Sequence, residues 1–217
     1  LVRNTISRVD PCVDLPDVPT ADFVAKKRAD QLICRATNGT EFEVETHNSG
    51  RRQTGFRIGA KGASLSLNVY DKLYEVSKKQ DEAKLEVLKK YRWGGYIPDH
   101  ATRVEWRIRR EKLVALGVDT VEDWFEKRAG IVRYLATQWI RFTEGDVDRK
   151  NAHQGRAETW SVWERLVKSA DFFLQACPLK AATVTRRIVF DFQALARQTL
   201  GTLSSSIVYA KGVIMDK

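Results

Sequence analysis

Tyr70 is the side chain whose type and placement best suit nucleophilic chemistry. Residues 65–72 alternate between apolar and polar types, so one set should face a core and the other the opposite side of a strand. The apolar set is Leu65, Leu67 and Val69, and the polar set is Ser66, Asn68, Tyr70 and Lys72. A phenol beside an ammonium group on such a face can serve as a nucleophile. The same alternation is typical of any half-solvated strand, and by itself it favours that simpler interpretation.

A second strand, predicted over residues 102–110, carries one carboxylate among arginines. Its apolar face is Val104, Trp106 and Ile108, and its other face is Arg103, Glu105, Arg107 and Arg109. Solubility alone does not explain a lone carboxylate flanked by three guanidinium groups. The pattern predicts an anion site, in which Glu105 either pairs with the arginines or holds a metal.

A third strand is predicted over residues 6–14, with Arg8, Asp10, Cys12 and Asp14 on one face. Pro11 removes one donor from the ladder, so this strand should lie at an edge or bend there. Two aspartates on one face fit either a solvated surface or a site, and the sequence leaves both open.

If the three strands are neighbours that present the same face, their side chains suit phosphodiester transesterification. A tyrosine can attack phosphorus, carboxylates can hold Mg²⁺ or Mn²⁺, and lysine and arginine can neutralise charge on the phosphoryl oxygens. Two alternatives remain. Asp10, Asp14 and Glu105 could form a hydrolytic nuclease site, or the acidic residues could only pair with arginines in a non-enzymatic DNA-binding module.

Composition agrees with a polyanionic partner. The 217 residues carry a net charge of +9, and 43% hydrophobic content is enough for a packed core. The sequence holds no long apolar run typical of a membrane span. Its three cysteines are scattered, without zinc or disulfide spacing, which predicts a cytoplasmic protein. No Walker A or dinucleotide-binding motif occurs.

The predicted fold class is α+β: an antiparallel β-sheet core over residues 1–112, followed by an all-helical part over 113–217 that packs on it. Thr20 should cap a helix over 21–31, and Asn38-Gly39 should close a hairpin between 32–35 and 41–46. A loop over 47–53 should carry Arg51 and Arg52. Further helices are predicted over 77–91, 120–142, 159–175 and 185–209, the second of these opening with a capping box at Thr120.

Three blocks in this order resemble the replication initiation factor family, which includes rolling-circle plasmid initiators, relaxases of integrative elements and filamentous-phage replication proteins. The blocks are Ser7-Arg8-Val9-Asp10 with Asp14, then Thr54-Gly55-Phe56-Arg57-Ile58-Gly59 with Asn68-Val69-Tyr70-Asp71-Lys72, then Arg103-Val104-Glu105-Trp106-Arg107. The resemblance covers residues 6–110 and extends more loosely to about residue 175.

The resemblance implies a metal-dependent nickase that initiates rolling-circle replication or conjugative transfer. Tyr70 would attack origin DNA, single-stranded or cruciform, to give a 5′-phosphotyrosine and a free 3′-OH, with Lys72 stabilising the phosphate or phenolate. Asp10 and Glu105 would hold Mg²⁺ or Mn²⁺, and Asp14 and Glu43 are further candidate ligands. The implied DNA contacts are Arg8, Arg51, Arg52, Arg57, Lys61, Arg103, Arg107 and Arg109.

The sequence departs from the better-known relaxases because it has no pair of histidines separated by one residue. Either carboxylates bind the metal, or the metal is absent. The resemblance also implies host replication machinery as a partner and is compatible with a homodimer. Because the chain begins at Leu1 and a strand pattern starts within a few residues, we expect it to be a piece of a longer protein.

Overall fold

An antiparallel sheet backed by helices forms the centre of the computed structural model, which describes residues 5–36, 40–47, 50–148, 150 and 154–174. The strands are β1 (Arg8–Val9), β2 (Cys12–Pro16), β3 (Leu32–Cys34), β4 (Thr40–His47), β5 (Gly50–Ile58), β6 (Leu65–Asp71), β7 (Ala101–Arg109) and β8 (Ile140–Phe142). The helices are α1 (Thr20–Arg28), α2 (Lys72–Lys78), α3 (Glu82–Tyr91), α4 (Arg110–Ala115), α5 (Val121–Tyr134) and α6 (Ser161–Leu174). The predicted α+β class with an antiparallel sheet is confirmed.

Strand β7 lies inside the sheet because it pairs on both sides. The strand order is β1-β7-β6-β5-β4, and β2 also pairs with β7, beyond β1. The predicted first strand is interrupted at Asp10 and Pro11, where the carbonyl oxygen of Pro11 still accepts a hydrogen bond from the Trp106 amide at 3.0 Å. The bend expected at the proline is therefore present. On one side of β7, β1 pairs with its C-terminal end and β2 pairs with its N-terminal part.

The apolar faces of β6 and β7 pack against the helices. Leu67, Val69, Val104, Trp106 and Ile108 are fully buried in one core with residues from later in the chain, namely Ile131, Leu135, Phe142, Trp163 and Leu166. Burying each large apolar side chain stabilises the fold by about 1.5–3 kcal/mol. This packing fixes which side of the sheet is apolar, and the polar side chains of β6 and β7 therefore lie on the opposite face.

Side-chain caps change the boundaries predicted around Lys72. Asp71 ends β6, and its carboxylate accepts a hydrogen bond from the Tyr74 amide at 2.9 Å, so a helix begins at Lys72. Lys72 is therefore helical and does not continue the alternation of the strand. The predicted helix over 77–91 is divided into α2 and α3, because Gln80 has a φ of 51° and Asp81 caps α3 through the Lys84 amide at 3.0 Å.

The hairpin predicted between residues 32–35 and 41–46 is wrong. β3 pairs with β8, more than 100 residues away, and β4 pairs with β5. Asn38 and Gly39 lie outside the described residues. The segment predicted as a loop over 47–53 is largely strand, with the backbone of Arg51 and Arg52 inside β5.

Two further helix predictions need correction. Thr20 does not cap α1. It is the first residue of that helix, and its hydroxyl is hydrogen-bonded to the Thr102 hydroxyl at 2.8 Å. The capping box at Thr120 is present, but its helix ends in a π-helical turn at Leu135–Trp139 and is followed by β8 instead of running to Phe142.

The C-terminal part is helical in α5 and α6, while β8 adds a strand that the sequence did not predict. The predicted helix over 185–209 lies outside the described residues. A domain boundary near residue 112 remains a prediction. In the part of the chain that the structure describes, no helix is long and apolar enough to cross a membrane.

Candidate functional site

The polar face of β2, β7 and β6 brings the predicted site residues into two adjacent rows. Asp14 lies opposite Arg103, and Arg103 lies opposite Tyr70. One step along the same face, Cys12 lies opposite Glu105, and Glu105 lies opposite Asn68. These three strands are neighbours and present one face, which is the arrangement on which the sequence hypothesis depends.

Tyr70 is hydrogen-bonded to a carboxylate. Its hydroxyl donates to Oε2 of Glu105 at 3.1 Å, and its side chain is partly buried. Burial and the negative charge of Glu105 raise the pKa of Tyr70 above its usual value, and Arg103 offsets only part of that rise. Tyr70 is therefore a neutral phenol in the resting protein, with a proton acceptor already in contact.

Arg103 is held in place by Asp14. Its Nε and Nη2 donate to the two carboxylate oxygens of Asp14 at 2.6 and 2.8 Å, the bidentate geometry of a strong pair. Burial alone would raise the pKa of Asp14, but hydrogen bonds and charge from Arg103 and Arg92 hold it below its usual value. Because both oxygens are occupied and the side chain is only 2% exposed, Asp14 anchors Arg103 and is poorly placed to bind a metal.

Around Arg107 the charges are close but poorly paired. Arg107 Nε lies 3.6 Å from Oδ2 of Asp10, and its Nη2 lies 3.6 Å from Oε1 of Glu105. Arg8 approaches the same Asp10 oxygen at 3.1 Å. Asp10 Oδ1 and Arg107 Nε are both inaccessible to solvent, and neither has a hydrogen-bond partner among the described residues.

A metal site can be assessed from these same groups. Among the described residues, no cluster of three or more histidines, cysteines or carboxylates could hold a metal ion. Asp10 and Glu105 nevertheless approach one guanidinium, and Asp10 has a buried, unpaired oxygen. Mg²⁺ commonly binds through one or two carboxylates and takes its other ligands from water and substrate phosphates. The two carboxylates fit an ion bound in that way.

Lys72 lies beside the ring of Tyr70. Its side chain is only 3% exposed, its Nζ lies 5.7 Å from the ring centroid, and it forms an ion pair with Glu75. Burial lowers the pKa of Lys72, and Glu75 offsets part of that shift. Glu75 also pairs with Lys79, and although burial opposes it, these lysines lower the pKa of Glu75 to about 2.

The sequence interpretation missed Glu75. Its spacing of three residues from Lys72 and four from Lys79 is the signal for ion pairs on one helix. The sequence would have predicted these ion pairs if the helix had been predicted to begin at Lys72.

Gly55 allows the neighbouring strand to approach Tyr70. It lies opposite Tyr70 in the β5–β6 ladder, where an added Cβ would lie 2.4 Å from the Val69 carbonyl oxygen and 2.8 Å from the Tyr70 Cβ. Beside Tyr70, on the α2 side, is a cleft of about 340 Å³ lined by Thr54, Tyr70, Asp71, Tyr74, Glu75, Lys78 and Lys79.

The other predicted contacts are distributed along the sheet. Arg57 donates to Oδ1 of Asn68 at 2.9 Å and so borders the Glu105 row. Arg109 and Lys61 are exposed, at the end of β7 and in the β5–β6 turn. Glu43 lies opposite Gly55 in the backbone ladder. The side chains of Glu43, Arg51 and Arg52 are outside the described residues.

Comparison with solved structures found a protein of similar fold. A similar solved structure is that of a rolling circle replication initiator protein from Geobacillus stearothermophilus, with a TM-score of 0.52 and 18% sequence identity. The two share a fold. The match covers 76% of this chain, which spans 56% of the length of that protein. No protein-family model matches the sequence, and no curated protein matches it.

Proposed function

We propose that this chain is a DNA nickase that initiates rolling-circle replication or conjugative transfer, with Tyr70 as its nucleophile. One observation carries the proposal: the Tyr70 hydroxyl donates to Glu105 on a face that also holds Arg103 and Arg107. A nucleophile in contact with a base, next to cations that can bind phosphate, is the arrangement that covalent phosphoryl transfer needs.

The proposed step exchanges one phosphodiester for another. The Tyr70 oxygen bonds to phosphorus as the bond to the 3′ oxygen breaks, and Glu105 Oε2 accepts the phenolic proton. The departing 3′ oxygen takes a proton from protonated Glu105 or from water and leaves as a 3′-OH. The 5′ phosphate stays on Tyr70, and Arg103, fixed by Asp14, lies in the row that would face the charge developing on phosphorus.

Asp10 and Glu105 are the residues that would hold Mg²⁺ or Mn²⁺. Such an ion would polarise the scissile phosphate and neutralise part of its charge. Lys72 is buried against Glu75, so we assign it to support the Tyr70 ring. This role replaces the stabilisation of phosphate or phenolate that the resemblance implied for Lys72.

Two further observations support the proposal. The fold is shared with a protein described as a rolling circle replication initiator, and the net charge of +9 favours a nucleic-acid partner. The substrate would be origin DNA, single-stranded or cruciform. A cytoplasmic location, host replication proteins and a second copy of the chain as partners belong to the same proposal.

Covalent trapping tests the proposal directly. The protein is incubated with Mn²⁺ and single-stranded oligonucleotides from its own genetic neighbourhood, and adducts are separated on denaturing gels and mapped by mass spectrometry. We expect a DNA adduct on Tyr70 that Tyr70→Phe abolishes. Tyr74→Phe is the matched control, because Tyr74 is a second phenol that lines the same cleft but lies on α2, whereas Tyr70 on β6 is the donor to Glu105.

The other outcomes point to the alternatives. Cleavage without an adduct, retained in Tyr70→Phe, would indicate a hydrolytic nuclease built on Asp10 and Glu105. Binding without cleavage under any metal condition would indicate a basic DNA-binding module.

A further inference from the structure

The group of Asp10, Arg107 and Glu105 differs from the neighbouring pair of Asp14 and Arg103, although both combine carboxylates with an arginine of β7. In the Asp14–Arg103 pair, two hydrogen bonds of 2.6 and 2.8 Å satisfy the carboxylate. Around Arg107, the nearest carboxylate oxygens are 3.6 Å away on both sides, beyond the 2.7–2.9 Å of a charged hydrogen bond.

We propose that Arg107 is a displaceable cation, which lies between Asp10 and Glu105 until a divalent metal binds these carboxylates and then turns to a DNA phosphate. Arg107 would thereby couple metal binding to DNA binding. The inference rests on the proposed function, because it takes a DNA phosphate as the second ligand.

The unpaired buried atoms identify what each ligand would supply. Asp10 Oδ1 is a buried acceptor without a partner among the described residues, and Arg107 Nε is a buried donor in the same condition. Such groups are uncommon and call for an explanation. A metal ion would satisfy the Asp10 oxygen, and a phosphate oxygen would satisfy the arginine. Neither ligand alone would satisfy both atoms.

The backbone around this group permits the change. Asp10 lies between β1 and β2, outside both strands, whereas Glu105 and Arg107 are fixed on β7. Arg107 faces Ser66, a small side chain, across the β6–β7 ladder. The Arg107 side chain is 27% exposed, so part of it already reaches solvent.

Electrostatics sets the direction of the coupling. A divalent ion at Asp10 and Glu105 would repel a guanidinium a few ångströms away, and the released guanidinium is well suited to bind phosphate. By linkage, DNA that holds Arg107 away from the carboxylates must raise their affinity for metal by the same factor. The free protein would therefore bind metal weakly, and the complex with DNA would bind it tightly.

Mn²⁺ binding, followed by electron paramagnetic resonance, tests this inference without any nicking reaction. Wild-type protein, Arg107→Met and the control Arg133→Met are titrated with Mn²⁺, alone and with a mixed-sequence single-stranded oligonucleotide. Arg133 is the matched control because it is an exposed arginine on α5 and not one of the site residues on the sheet. Far-ultraviolet circular dichroism verifies that each variant is folded, and Arg107→Lys provides a second variant that keeps the charge.

We expect the oligonucleotide to raise the Mn²⁺ affinity of the wild type by about fivefold or more, within the usual range of coupling between sites. Arg107→Met should bind Mn²⁺ more tightly than the wild type without DNA and should lose most of the gain on adding DNA. Arg133→Met should keep that gain. Arg107→Lys should show a reduced gain, because lysine keeps the charge but loses the fork of donors.

The inference is wrong if the oligonucleotide leaves the wild-type Mn²⁺ affinity unchanged, or if Arg107→Met keeps the full gain. An equal effect of Arg133→Met and Arg107→Met would also contradict it, since general charge removal would then explain the result. The two proposals can fail separately. The coupling pattern without a Tyr70 adduct would overturn the nickase alone, and an adduct without coupling would overturn this inference alone.

Discussion

Because of Tyr70, the free energy of unfolding should fall at alkaline pH. The size of the fall follows from the difference in bound protons between the folded and unfolded states. Tyrosine in an unfolded chain has a pKa of about 10. In the folded protein, burial and Glu105 raise the pKa of Tyr70. Above about pH 10 the unfolded chain therefore loses a proton that the folded chain keeps. Because the unfolded state binds fewer protons, the free energy of unfolding must fall as the pH rises.

At about pH 11 the free energy of unfolding should be lower by ~1.4 kcal/mol. At that pH the ionised form of tyrosine in the unfolded chain is about tenfold more abundant than the neutral form. Tyr70→Phe has no such proton and escapes this loss. At neutral pH that variant should be less stable than the wild type by about 1 kcal/mol, because Glu105 loses its hydrogen bond. The two stability curves should therefore meet near pH 11.

Urea unfolding at a series of pH values measures both curves. Glu105→Gln is the informative companion, since it keeps Tyr70 buried but removes the charge that contributes to the raised pKa. The decrease in its free energy of unfolding between neutral pH and pH 11 should lie between the decreases for the wild type and for Tyr70→Phe. If the wild-type and Tyr70→Phe curves remain parallel up to pH 11, the pKa of Tyr70 is not raised, and the argument that it needs Glu105 as a proton acceptor fails.

Three further predictions follow from the site. Asp14→Ala should cost about 3–5 kcal/mol in urea unfolding, because it leaves the buried Arg103 guanidinium without its partner. Gly55→Ala should destabilise the fold by about 1–3 kcal/mol and lower the yield of covalent adduct, since the new Cβ overlaps the strand beside Tyr70. Lys72→Met should slow nicking by about tenfold or more while oligonucleotide affinity in gel-shift assays stays within about twofold, because Lys72 is buried against Glu75 and the Tyr70 ring. Equal losses of rate and affinity would contradict that role.

The alternation in β6 and β7 could be predicted because both strands bury one face completely. Val104, Trp106 and Ile108 have no exposed surface, so the period of two is strict and places Glu105 on the face opposite the core. The same rule places Tyr70. The sequence could therefore indicate which side chains share the polar face, and it did so before any pairing between the strands was known.

The pairings between strands could not be obtained in the same way, because register depends on contacts that are distant in sequence. Asn38-Gly39 is a strong local turn signal, yet β3 pairs with β8, whose buried Ile140 and Phe142 belong to the main core. The end of β6 depended on a single cap, Asp71, that moved Lys72 from a strand to a helix. Which arginine Asp14 binds is likewise a matter of register, fixed by β2 lying against β7.

Placed side by side, the two charged groups on this face have different physical tasks. The row with Tyr70 is saturated: Asp14 fixes Arg103 through two short hydrogen bonds, and a fixed guanidinium can stabilise charge without reorganising during the reaction. In the group around Arg107, one buried acceptor of Asp10 and one buried donor of Arg107 have no hydrogen-bond partner among the described residues. Rigid charges next to the proposed nucleophile would favour the chemical step, whereas unsatisfied charges nearby would favour the binding of ligands. On this reasoning, replacing Arg103 should reduce the rate of bond exchange, and replacing Arg107 should change the order and tightness with which metal and DNA bind.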